Sequence, residues 1–187
     1  MKTKSSRFHI HDDLTAPEGS VPILRGALSA GGQLPNFLGV LAGSPAALRA
    51  YVRFRAELRH GTLDIATMER ISLGVAHHYG SDPGITMHAR TARQAGVGVD
   101  EVTRAHRFES EDLKQQALLR VLARLVAGEA VPAYLVEAAR ETGWTDEQLL
   151  EAMAFMALEQ LTAMINVAGD VPVDGSIEVT RTLTAAA

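Results

Sequence analysis

Glycine and proline divide this chain into intervals of about one helix each. They fall at Gly43, Gly61, Gly80, Gly96, Gly128, Pro132, Gly143 and Gly169, and these two residue types most readily end a regular element. Within the intervals, Ala, Leu, Glu, Arg and Met dominate and the alternation expected of strands is missing. The pattern constrains the chain to an all-α fold of about seven to eight helices.

Start signals place those helices. Ser44-Pro45 offers a capping hydroxyl followed by proline at the first helical position, and Asp82-Pro83 repeats the device. Thr145-Asp-Glu-Gln148 reads as a capping box, and Ser110-Glu-Asp puts two acids where a helix dipole favours them. Helices are therefore predicted to begin near 45, 64, 83, 99, 111, 132 and 146.

The 187 residues, 47% hydrophobic, suit one domain. A chain this long buries roughly 70% of its unfolded surface, so it needs no metal or disulfide to fold. The net charge of -4, with basic residues spread singly, carries no footprint for nucleic acid. Neither a signal peptide nor an unbroken apolar run of about 18 residues is present, so the expectation is a cytoplasmic protein without a membrane span. The chain contains no cysteine, which excludes thiol nucleophiles, thiolate metal sites and thiol redox cycles.

Residues 1–33 are rich in Pro, Gly and Ser without sustained periodicity and read as an arm or loops, residues 34–170 as the helical domain, and 171–187 as a tail. The last helix carries Leu149, Leu150, Met153, Met156, Ala157, Leu161 and Met164 at three-to-four spacing. Such a methionine stripe suits a core or a subunit interface.

Two ionisable residues stand out. Glu69 falls among Ile65, Met68, Ser72, Val75 and Ala76 on one face of its helix, where a carboxylate is costly unless paired. His88 lies with Ile85, Ala89, Ala92 and Gly96 on the apolar face of the next helix. If the turn at Gly80 makes the two helices antiparallel, both face one interior. Glu69 would then lie roughly 16 Å, and His88 roughly 9 Å, from the turn, which predicts contact through a long reach or a bridging water. Adjacent His77 and His78 point about 100° apart on a helix. A metal set of Glu69, His77 and His88 lacks tight ligand spacing and is not expected, nor is a cofactor. Ser81, beside Asp82-Pro83, suits turn chemistry.

The run Leu63-Asp-Ile-Ala-Thr-Met-Glu-Arg-Ile-Ser-Leu-Gly-Val-Ala, the glycine turn, and Met87-His-Ala-Arg-Thr-Ala-Arg-Gln-Ala-Gly-Val resemble the carboxymuconolactone decarboxylase and alkylhydroperoxidase D (AhpD-like) superfamily. The family frame is a Glu, a later Cys-x-x-Cys, and a His after three further residues. Counted back from His88, the cysteine positions fall on Ser81 and Gly84 and the glutamate on Glu69. Leu34 to Arg49 and Gly143 to Asn166 resemble the family's first and closing helices, so the likeness spans roughly 34 to 170.

The resemblance implies an AhpD-like helical bundle that assembles into homo-oligomers, commonly trimers or hexamers. It also implies a small-molecule substrate and Glu69 and His88 as catalytic proton carriers. Thiol peroxidase activity is not expected, because no thiolate is available. The expected chemistry is decarboxylation, lactone opening or isomerisation of a small oxygenated metabolite. The alternative is a non-catalytic oligomer that binds a ligand or partner.

Overall fold

A computed structural model describes residues 6–29 and 33–175. Residues 1–5 and 30–32 of the expected arm and 176–187 of the expected tail lie outside the described residues. The described residues form nine α-helices, eight of them seven residues or longer, and no strand. They are α1 (Val21–Ser29, entered through a 3-10 turn, Glu18–Ser20), α2 (Asn36–Leu41), α3 (Pro45–Leu58), α4 (Ile65–Tyr79), α5 (Asp82–Gln94), α6 (Val99–Ala105), α7 (Leu113–Val126), α8 (Ala133–Glu141) and α9 (Asp146–Gly169).

Local capping explains most boundaries. The side chains of Ser44, Asp64, Ser81 and Thr145 each accept a backbone N–H in the first turn of α3, α4, α5 and α9, and Thr145 and Gln148 close a reciprocal capping box. At α7 the reading needs correcting by one residue or two. Asp112 is the cap and accepts from Gln115 N at 2.9 Å. Ser110 and Glu111 stay outside the helix because Ser110 Oγ and the Glu111 N–H both donate to the carboxylate of Glu101.

α1 arises where the sequence showed only an arm. Leu24 is fully buried with Leu48, Tyr51 and Leu158, so tertiary burial supplies the stability that its short, Gly-containing sequence lacks. Around α4 the larger core gathers Ile71, Val75, Leu118, Leu122, Leu149 and Met156. A smaller cluster under α6 contains Leu73, Ala92, Val97 and Val102.

α4 is the central element, packed by α5, α6, α7 and α9. Residues 71–76 are buried on every side, so no single inward face describes it, and Ile65, placed on that face from sequence, is 63% exposed. Gly74 lets this helix fit, because a Cβ there would stand 2.7 Å from the ring of Phe108.

α9 has the length and apolar composition of a membrane span, yet it is packed against α2, α3, α4, α5 and α7. Its predicted stripe divides: Leu149 and Met156 are in the core, whereas Leu150 and Met164 are more than half exposed. Its inward side also carries Glu159, Thr162 and Asn166, all buried.

Candidate functional site

The bend that joins α4 to α5 is built with almost no loop. Gly80 adopts φ +68° and ends α4, with Gly80 N–H bonded to His77 O at 3.1 Å and Ser81 N–H to Ala76 O at 2.8 Å. Ser81 then starts α5 by accepting the Gly84 N–H on Oγ at 3.3 Å. One glycine and one serine thus reverse the chain and set the register of the two helices. Buried residues of α5 follow as Gly84, His88 and Ala92, one turn apart.

That register makes Glu69 and His88 a direct pair. His88 Nδ1–H donates to Glu69 Oε2 at 2.8 Å, and Thr91 Oγ1–H donates to the same oxygen at 2.6 Å. The water-bridged or long-reach contact expected from sequence is corrected. Counting from each helix's own end ignored the turn between them. Counted from Gly80, Glu69 and Thr91 are each 11 residues away (80 − 69 and 91 − 80), so they stand level and His88 is under one turn off. The carboxylate spans both.

The second partner of His88 comes from α9. His88 Nε2 lies 3.2 Å from Glu159 Oε2, an ion-pair distance at an angle too poor for a directed hydrogen bond. The imidazole therefore sits between two carboxylates, with side-chain exposures of 7% for His88, 15% for Glu69 and 7% for Glu159. Burial alone would strip the ring of its proton, but the charge of Glu159 and the contacts to Glu159 and Glu69 outweigh it and push the His88 pKa up to about 9. At neutral pH His88 is a buried cation.

Of these three groups, Glu159 reaches a cleft. The cleft is narrow, with a cavity volume of about 40 Å³, and lies between α2 and α3 on one side and α5 and α9 on the other. Phe37, Tyr51 and Met87 supply apolar wall, Arg55, Glu159, Thr162 and Asn166 the polar groups, and Pro172 and Asp174 the rim. Asn36 ties that rim down, donating its backbone N–H to Asp174 Oδ1 at 2.7 Å and its side-chain Nδ2–H to Pro172 O at 3.0 Å. Phe37 and Tyr51 meet edge to face at 5.0 Å between ring centroids, and Tyr51 Oη accepts from Arg55 Nη1 at 3.0 Å.

Other residues singled out from sequence lie elsewhere. His77 is exposed and stacks on His106 at 5.3 Å between centroids, and His78 stands edge-on to Tyr79 at 5.2 Å. The conceivable metal set of Glu69, His77 and His88 is thus not assembled. Ser81 is buried and serves as a cap, while its Oγ also accepts from Asn166 Nδ2 at 3.2 Å. Gly84 lines the cleft. Glu159, Arg55 and Asn166 escaped the sequence reading. A usable signal was there for α9: Glu159, Thr162 and Asn166 are three and four residues apart, a polar row on one face of an apolar helix.

This arrangement, an all-helical bundle with a Glu–His pair across a capped hairpin, is the AhpD-like fold. It superposes on an alkylhydroperoxidase AhpD core structure, an uncharacterized peroxidase-related protein from Ralstonia eutropha JMP134, with TM-score 0.78 and 19% identity over 91% of this chain and 93% of that one. A peroxidase-related protein from Silicibacter sp. TM1040 gives TM-score 0.76 and 16% identity over 94% of each chain. A cysteine-to-alanine variant of the debrominase Bmp8, in complex with 2,3,4-tribromopyrrole, gives 0.68 and 16% over 83% and 85%. No curated protein matches the sequence.

Residues 45–127, from the start of α3 to the end of α7, match the model of the carboxymuconolactone decarboxylase family. A segment that matches the carboxymuconolactone decarboxylase family thus sits inside an AhpD-like fold, in a chain without cysteine. Glu69 and His88 lie inside the matched segment; Glu159 and Asn166 lie beyond it.

Proposed function

We propose that the protein carries out acid/base chemistry on a small oxygenated metabolite in the cleft between α3, α5 and α9. The observation that carries this reading is the buried His88 held between the carboxylates of Glu69 and Glu159, the second of which faces the cleft. Glu159 passes a proton to the substrate carbon or oxygen, and His88 Nε2, 3.2 Å behind it, supplies that proton and recovers one afterwards. Glu69 and Thr91 hold the imidazole in orientation through Nδ1 and the shared oxygen. Decarboxylation, lactone opening and isomerisation all need such a step. No thiol-dependent peroxide turnover is expected from a chain without cysteine.

The test is turnover of wild type, Glu159→Gln and His88→Ala across a panel of lactones and keto acids. Both variants are expected to lose at least a hundredfold, in the usual range for a positioned proton carrier. Equal turnover in all three proteins would sink the reading.

A second reading is a ligand-binding oligomer without catalysis, and it is favoured by one observation: His88 and Glu69 lie behind the cleft wall and do not line it. Self-association belongs to either reading and is supported by the exposed Leu150, Leu161 and Met164 on α9. Sedimentation velocity should show a species larger than 20.0 kDa. A monomer would remove that part.

A further inference from the structure

Asn166 has a hydrogen bond still to make. The residue is 4% exposed and lines the cleft on the same row of α9 as Glu159. Its Nδ2 donates to Ser81 Oγ, whereas its buried Oδ1 has no partner among the described residues. Ser81 is itself held by its capping bond to Gly84 N–H and by its position in the bend. In this orientation the amide keeps an empty acceptor. A buried carbonyl oxygen without a donor is a standing cost that an O–H or N–H of a ligand removes.

The same cleft offers the opposite kind of group. Among the described residues Arg55 makes one side-chain hydrogen bond, to Tyr51 Oη at 3.0 Å, so other N–H groups of its fork can meet a carboxylate. Asp174 at the rim is engaged by the Asn36 N–H. Phe37, Tyr51 and Met87 provide the apolar faces that suit a flat body between the two polar ends.

We propose that the cleft takes a small planar hydroxy acid, its hydroxyl donating to Asn166 Oδ1 and its carboxylate held by Arg55. This rests on the reading of the cleft as the reaction site, and it names the substrate class. Asn166 is then a specificity residue: an analogue that lacks the hydroxyl hydrogen leaves the acceptor empty and binds more weakly.

The test is titration calorimetry of the full chain with 3- and 4-hydroxybenzoate, against benzoate and the two matching methoxybenzoates. At least one hydroxybenzoate should bind wild type tenfold or more tightly than benzoate and its methoxy analogue. Asn166→Leu should abolish that preference, and Asn166→Ala gives the same readout if the leucine variant does not fold. Arg55→Gln should weaken all the acids together and leave the preference in place. Equal binding of hydroxylated and non-hydroxylated acids, a preference that survives the loss of Asn166, or no binding of any acid would each overturn the proposal. Turnover separates it from the acid/base reading. A hydroxyl preference without any turnover upholds the ligand class and removes the chemistry, whereas turnover lost in Glu159→Gln with no hydroxyl preference in wild type does the reverse.

Discussion

Two charged regions of this protein use similar groups to opposite ends. Behind the cleft, His88, Glu69 and Glu159 are nearly closed off from water. Elsewhere, a groove walled by α6, α7 and α8 contains Arg104, Arg107, Arg120 and Arg124. There Arg104 pairs with Glu111, Arg107 with Glu109 at 2.9 Å and Arg124 with Glu129, all with side chains at least 40% exposed. Water solvates each of these charges whether or not it is paired, so each pair contributes little. The buried triad has no such fallback, and each member depends on the others. Arg70–Glu101, at 3.0 Å with exposures of 14% and 15%, lies between the two extremes.

The comparison breaks most visibly at His88. Its replacement by alanine leaves the carboxylates of Glu69 and buried Glu159 without their shared partner and should cost about 3–5 kcal/mol of folding stability in urea titrations. A loss under about 1 kcal/mol would show that the triad behaves like the surface pairs.

Stability against pH gives the next largest effect. The folded pKa of His88, about 9, lies above the unfolded 6.5, so its contribution is complete below pH 6.5 and is lost as pH rises through 9. The shift corresponds to ~3 kcal/mol. Glu101 works at the other end of the scale. Burial pushes it up, but hydrogen bonds from Ser110 and Arg70 prevail and hold it below the usual carboxylate range, so its contribution is lost as pH falls. Thermal melts from pH 4 to 10 should show both limbs, and a flat alkaline limb would contradict a cationic His88.

A smaller effect sharpens the assignment within the triad. Glu159→Gln removes the largest of the influences that keep His88 protonated, so the alkaline limb should move to lower pH, with a stability loss of about 1–2 kcal/mol at neutral pH. Last comes Arg124→Ala in the groove, expected within about 0.5 kcal/mol of wild type in the same urea titrations.

Much of this was legible along the chain. Glu69 and His88 were identified because each stood on an apolar helix face where an ionisable group needs a partner. The bend was legible too, since glycine followed by a capping serine can end one helix and begin the next within two residues. Arg55 was not, because an arginine in a helix is ordinary until something packs over it, and the partner of Glu159 could not be read from its own helix. Asn166 showed only as part of a polar row on α9, and its meaning comes from Ser81, 85 residues away in sequence.

By itself, then, the sequence determined most of the helices and their ends, α1 excepted, and the absence of thiol chemistry. Caps, turns and residue types act within about one turn of the chain, and that short range is enough to write them locally. Only the tertiary structure decided that α9 would lay Glu159 against His88 and Asn166 against Ser81, and that α3 would bring Arg55 to the same cleft. Those meetings depend on how whole helices pack around α4, and packing is set by the sum of many apolar contacts that no single stretch of sequence contains.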